Sequence, residues 1–286
     1  MHTIKRAMMD LVRIMRETVL HLPKCSDVLT SRTVLAPVLF LLFSAGVGAG
    51  PLTIIPGVPD HDGTKMIAVT DATGVVTIVP VPVDKDEQTD KRLAAANIAT
   101  ALNENGLTAA PTSGNNVEVE FATRIDIKTD TGQKDKVAAL FPSNSRFPWE
   151  GHLAYTGTLL GIGEAGAQAT YFASVEFNDV STEFEISYGS LPDQTLPGLL
   201  TVMFNNLLLG LPANQQSNLS LDLENNAIFF QFIGVTNPSM GSGSTDMGLF
   251  STVSLAVVPE PGSIALVGLG LLISCSAKRR PRRADV

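Results

Sequence analysis

Cysteine is nearly absent from this chain: there are two, Cys25 and Cys275, and neither falls between residues 50 and 262. A disulfide or a cysteine-ligated zinc site in that central stretch is therefore excluded. More than two hundred residues remain there, enough to bury a core without covalent staples. Histidine is equally sparse, with His61 and His152 alone in the same stretch. A multi-histidine metal centre would need both of them and carboxylates besides, and neither His-Glu-x-x-His nor Gly-x-Ser-x-Gly occurs. Positive charge is short too. Residues 50–262 hold nine Lys/Arg against 24 Asp/Glu, a net of −15 that repels phosphate backbones and argues against a nucleic-acid partner.

Both ends read as targeting devices. The apolar run Val34 to Phe43 follows Lys5, Arg6, Arg13, Arg16, Lys24 and Arg32. Val47 and Ala49 then put small residues at the −3 and −1 positions for cleavage before Gly50. Residues 1–49 are thus expected to be a signal peptide, handled by the general secretion machinery and signal peptidase. Its basic region is long, so either translation starts at Met8, Met9 or Met15, or the signal is an extended one.

The other end has three parts in order. Val258, Pro259, Glu260, Pro261, Gly262 and Ser263 come first, and an uncharged run to Ala277 succeeds them. Lys278, Arg279, Arg280, Arg282 and Arg283 close the segment, with Pro281 between them. The prolines fix φ and remove backbone donors, so the motif stays extended and can be presented to an enzyme. Residues 263–277 make 15 residues, about 22 Å as a helix, a short transmembrane span for a ~30 Å hydrocarbon core. Snorkelling of Lys278 and local thinning would cover the difference. The basic cluster holds the tail in the cytoplasm and leaves the body outside.

A plain anchor explains the last two parts but not the motif before them. The ordered combination resembles the PEP-CTERM proteins, substrates of the exosortase sorting system, over about residues 257–283. Pro281 inside the basic cluster and the extension Ala284-Asp285-Val286 depart from the pattern without removing a core element. The resemblance implies that Pro259, Glu260 and Pro261 are recognised by an exosortase-type membrane transpeptidase. It also implies a link to exopolysaccharide and biofilm production, with transient membrane anchoring before delivery to the cell surface or beyond.

Between the ends, pattern predicts a β-rich α+β body. Pro and Gly punctuate residues 50–63, which read as an exposed leader. A first α+β unit spans 64–145. Its strands are expected at Lys65 to Thr70, at Val75 to Val83 with an edge set by Pro80 and Pro82, and at Val117 to Phe121. A helix is expected from Asp90 to Asn103, where Ala94, Ile98, Ala101 and Leu102 share a face, with Thr89 or Asp90 as N-cap and Asn105-Gly106 as terminator.

A second, more β-rich unit spans 146–257 and echoes the first about 110 residues later. Its counterparts are a strand at Phe184 to Tyr188, a helix at Leu199 to Leu209, and a hairpin turning at Asn225-Asn226 as the first does at Asn115-Asn116. Either a divergent duplication or two unrelated stretches sharing a turn dipeptide would give this pattern. Further strands are expected at Leu153 to Leu160, Ala167 to Phe177 and Phe250 to Val258, with a Gly/Ser-rich loop over Ser239 to Asp246.

Little of this carries chemistry. Gly161-Ile162-Gly163-Glu164-Ala165-Gly166 matches a dinucleotide-binding pattern by letter, but Ala167 to Phe172 reads as strand where a helix would be needed, so the glycines are expected to form a turn. Asp60-His61-Asp62-Gly63 and the group Asp84, Asp86, Glu87 could bind a cation weakly, yet neither completes a calcium loop. Trp149, the one tryptophan, is either a core anchor or a platform for a sugar ring. Glu118 and Glu120 alternate as the wet face of a strand, although a dispersed carboxylate pair of a glycosidase needs no proximity in sequence. The expectation is a non-catalytic exported surface or matrix protein with no catalytic residue, metal or cofactor. The competing readings are a glycan-active hydrolase and a carbohydrate-binding module.

Overall fold

The structure is a computed structural model that describes residues 52–139, 148–178, 180–232 and 234–258. Fourteen strands and two α-helices run through these residues. In chain order the first half holds β1 (Leu52–Ile55), β2 (Gly63–Asp71), β3 (Val76–Val83), helix α1 (Lys91–Glu104), β4 (Ala109–Pro111), β5 (Val117–Val119), β6 (Ala122–Thr129) and β7 (Asp135–Ala139). The second half holds β8 (Trp149–Gly157), β9 (Thr170–Phe177), β10 (Val180–Ser187), helix α2 (Leu196–Gly210), β11 (Leu219–Asp222), β12 (Ala227–Phe232), β13 (Ser239–Ser244) and β14 (Leu249–Val257).

The strands form two seven-stranded sheets, antiparallel throughout. Sheet I runs β10-β9-β13-β7-β1-β5-β4, and sheet II runs β11-β12-β8-β14-β6-β2-β3. Exchanging every strand for its counterpart seven places along the chain turns the order of sheet I into that of sheet II read backwards. The two halves therefore share one topology, with their strands dealt to opposite sheets. The sequence boundaries at 64–145 and 146–257 do not mark separate bodies, because each sheet takes strands from both halves. Local pattern identifies strands but not which of them pair across a hundred residues.

Alternation decides which residues face the space between the sheets. Leu52 and Ile54, Ile67 and Val69, Ile125 and Ile127, Leu153 and Tyr155, and Val253 and Leu255 all point inward and join one continuous core. Trp149, Tyr155 and Tyr171 are the bulkiest side chains completely enclosed in it. The expectation of an exposed leader is corrected by β1. Leu52–Ile55 is an interior strand of sheet I, paired with β5 on one side and β7 on the other. Its proline and glycine neighbours signalled a loop, but three apolar residues and a threonine suffice for a strand held on both sides.

The Gly/Ser-rich segment is also corrected: Ser239–Ser244 is β13, at the seam where the two halves of sheet I meet. Its glycines leave room for the stem of Lys136 and for the backbone at Gln133 and Lys134. A Cβ on Gly241 would stand 2.6 Å from Lys136 Cγ, and one on Gly243 2.5 Å from the Gln133 carbonyl oxygen. Lys134 and Lys136 reach over this bare strand to Glu185 and Glu183 on β10 and lie above the Phe172 ring.

Each helix covers one open side of the sandwich. α1 packs on β3, β4 and β5 with Ala94, Ala95, Ile98, Ala99 and Leu102, and α2 packs equivalently on β10, β11 and β12. The Asp90 carboxylate accepts the Leu93 N–H at 2.9 Å to cap α1, while Thr195 accepts the Gly198 N–H at 3.2 Å to cap α2. Pro80 and Pro82 sit on β3, the edge strand of sheet II, where no ladder donor is lost. The strand expected over Val117 to Phe121 stops at Val119. Phe121 takes a left-handed φ of 61° and turns the chain out of sheet I and into sheet II.

Candidate functional site

The C-terminal signal leaves the body from an interior strand. β14 pairs with β8 on one side and β6 on the other, and the N–H of Val258, the next residue, donates to the Pro148 carbonyl at 2.9 Å. The first residue of the sorting motif is thus fastened directly to sheet II. The rest of the motif, Pro259 to Ser263, the run to Ala277, the basic cluster Lys278 to Arg283, and the cleavage residues Val47, Ala49 and Gly50 lie outside the described residues. Among the described residues no helix is long and apolar enough to cross a membrane.

Trp149 does not line a site. It is 1% exposed, opposite Phe232 on β12 and Val257 on β14, so the core-anchor reading holds and the sugar-platform reading at this residue falls. Alternation explains it. Trp149, Gly151 and Leu153 point inward from β8, which leaves Glu150 and His152 on the outer face.

On that outer face sheet II carries a groove of about 490 Å³ lined by polar side chains together with Phe229 and Phe230. Register places Phe229, His152, Ser254 and Asp126 in one row across four strands, with Gln231, Glu150, Ala256 and Arg124 in the next. Arg124 and Asp126 form a two-bond fork, both contacts at 2.7 Å, and this hydrogen bonding holds the guanidinium above its usual range. His152 packs against Phe229 with ring centroids 5.7 Å apart. Burial lowers the His152 pKa first; Asp126 opposes the shift and Arg124 adds to it. A neutral imidazole, an amide, a carboxylate, hydroxyls and one half-exposed aromatic ring are thereby collected on one face. Such a set can hydrogen-bond hydroxyl groups and cover the apolar side of a ring. Sequence reasoning missed this groove, although Arg124 with Asp126 and Glu150 with His152, each two apart on a strand, were its signal.

The two acidic clusters singled out as cation candidates come together in part. Asp62, Asp84 and Glu87 line a second groove of about 540 Å³ beside α1. Two of these carboxylates are committed to backbone donors: Asp62 accepts the Lys85 N–H at 2.9 Å, and Asp84 accepts those of Asp86 and Glu87 at 2.9 and 3.1 Å. Asp60 lies against Gly132 instead, its pKa raised chiefly by burial. No trio of metal-ligating side chains occurs among the described residues. Gly161 to Gly166 is a turn that leads into no helix. Gly161, Ala165 and Gly166 all take positive φ, and a Cβ on Gly161 would stand 2.4 Å from the Tyr188 ring. That loop is fixed by Asp246, which accepts the N–H groups of Leu160, Gly161 and Gly248 and the Tyr171 hydroxyl.

Comparison with known proteins assigns the C-terminal segment: residues 257–283 match the PEP-CTERM protein-sorting motif. The chain thus carries the sorting signal of an exosortase-processed, exported protein, and the signal implies membrane anchoring before transfer to the cell surface. No curated protein matches the chain. Among solved structures, a Clostridium thermocellum endo-1,4-β-D-xylanase 10B with CBM22-1 and GH10 modules is 10% identical over 54% of this chain and 24% of its own, with a TM-score of 0.19. This chain therefore spans about a quarter of that enzyme. A peptide-N(4)-(N-acetyl-β-D-glucosaminyl)asparagine amidase is 11% identical over 75% of this chain and 86% of its own, TM-score 0.21. The PRD1 vertex protein P5 is 8% identical over 68% and 97%, TM-score 0.20. At these scores none of the three bears on function.

Proposed function

We propose that this chain is a non-catalytic protein of the cell surface or extracellular matrix, delivered by an exosortase-type transpeptidase and associated with exopolysaccharide. The observation that carries the reading is the three-part signal at 257–283, which continues from β14 without a linker. A plain anchor has no use for Glu260, which lies outside the apolar run and contributes nothing to insertion. An enzyme's address does. In an exosortase-bearing host, Glu260→Ala should leave the protein in the membrane with its tail uncleaved, as read by fractionation and the mass of the mature C-terminus. Neutralising Arg279, Arg280, Arg282 and Arg283 should instead let the tail translocate. Normal processing of the Glu260 variant would reduce the segment to an anchor.

One observation favours a second reading, a carbohydrate-binding body: the groove that gathers Glu150, His152, Phe229 and Gln231. It supports binding better than hydrolysis, because Asp126, the other acid in reach, is tied into its fork with Arg124.

A further inference from the structure

Inside the sandwich Lys65 of β2 meets Asp135 of β7, Nζ to Oδ1 at 2.8 Å, with both side chains 1% exposed. The contact joins sheet II to sheet I. Its hydrogen bonding is lopsided. Oδ1 also accepts the Gly57 N–H at 3.1 Å, whereas Oδ2 is buried with no partner. Lys65 has no second acceptor among the described residues. Ser242, the register partner of Asp135 on β13, likewise holds a buried hydroxyl without a partner. As two ions the pair leaves two ammonium donors and one carboxylate oxygen unserved in a dry interior, which is costly.

The other half shows that the fold can serve a carboxylate at the corresponding corner. Asp246, just before β14, accepts Leu160 and Gly248 on Oδ1, and Leu160, Gly161 and the Tyr171 hydroxyl on Oδ2. Where β9 offers Tyr171, β2 offers the amine of Lys65.

We propose that Lys65 and Asp135 condense into an intramolecular amide. One proton passes from Nζ to the carboxylate oxygen it touches, the carboxyl turns about Cβ–Cγ so that the protonated oxygen takes the Oδ2 position and the bare one the Oδ1 position beside Gly57, and the nitrogen lone pair is freed. Nζ then attacks Cγ, and the charge that develops on Oδ1 faces the Gly57 N–H, an oxyanion donor already in place. A second proton from Nζ goes to the Oδ2 hydroxyl, which departs as water while the Cγ–Oδ1 double bond re-forms. The Nζ–Cγ bond is made, the Cγ–Oδ2 bond is broken, one water is released, and no oxidant or cofactor enters. Enclosure supplies what the reaction lacks in water: both groups fixed at contact distance with solvent excluded. The product keeps one N–H and a carbonyl already bonded to Gly57, so three unserved groups become one. It also ties the two sheets through residues 70 positions apart, in a body with no cysteine to do so.

The decisive measurement is made on the full-length chain from a producing host, folded, then denatured, digested and read by mass spectrometry. A branched peptide joining Lys65 to Asp135 and lighter by one water than its two arms is expected. It should vanish in Lys65→Arg, which keeps a positive charge opposite Asp135 but has no primary amine. Recovery of Lys65 and Asp135 solely in separate linear peptides from the folded wild-type chain overturns the proposal, whatever the fate of the sorting signal. A branched peptide at Asp135 that persists in Lys65→Arg overturns it as well.

Discussion

Replacing Trp149 by phenylalanine separates a core anchor from a ligand platform, because the two roles predict opposite outcomes. The indole is 1% exposed at the start of β8, between cross-strand neighbours Phe232 and Val257, in the layer that joins the two sheets. Truncation to alanine would leave a cavity and cost about 3–5 kcal/mol, a large part of the roughly 5–15 kcal/mol that holds a domain together. Phenylalanine keeps one ring and most of the apolar contact, so the loss should be about 1–2 kcal/mol. Urea unfolding followed by far-ultraviolet circular dichroism is the assay, since the variant loses the chain's one tryptophan as a fluorescence probe. The expected result is a lower midpoint at unchanged slope. A Trp149→Phe protein with the wild-type midpoint and impaired glycan binding would refute the core assignment.

The groove on sheet II gives two more. If it takes sugars, the exported protein should retain ligands on a glycan array, and Phe229→Ala should weaken them at least tenfold while the unfolding midpoint holds, because Phe229 is 39% exposed. Silence of the wild-type chain on the array leaves the structural reading. His152 predicts a pH dependence. Its pKa is lowered in the fold, chiefly by burial, so below about pH 6.5 the unfolded chain binds a proton that the folded chain refuses. Its contribution to stability is therefore whole above that value and is lost as pH falls toward the folded pKa. Urea midpoints at about pH 7.5 and about pH 5.5 should differ less for His152→Gln than for wild type. An equal difference in both proteins places the acid sensitivity elsewhere.

How much of this was legible depended on whether the deciding force was local. Asp90 and the Ala94, Ile98, Leu102 face mark α1 because a helix is made from its own neighbours. The turn at Asn225-Asn226 was readable for the same reason: Asn226 takes φ 51°, which asparagine tolerates better than most residues. Leu52–Ile55 and Ser239–Ser244 were not readable, because both are strands by virtue of what pairs on either side of them. Propensity read the first as a leader and the second as a loop. The groove failed differently. Each of its strands shows the right alternation, but only register brings Arg124, His152 and Phe229 onto one face. The sorting signal at 257–283 was legible because its three parts follow one another along the chain, so no pairing across the fold is needed to see them.

The dealing of strands to opposite sheets also bears on how the body carries its signals. A half built as a separate domain would keep its pairings to itself, and the join between halves would be a linker. Here the join is built from strand pairs, β13 with β7 in sheet I and β14 with β6 in sheet II, so neither half can complete a sheet alone. β1, just after the expected signal-peptide cleavage site, lies between β7 and β5, and β14, just before the sorting motif, lies between β8 and β6. The first and last described strands, β1 and β14, are therefore both interior ones, one in each sheet. Force applied at either end is met by ladder hydrogen bonds on both sides of a strand rather than by the weaker hold on an edge. The sorting signal at 257–283 implies anchoring at the membrane before transfer, and the strand it follows, β14, is one that resists such a pull on both sides.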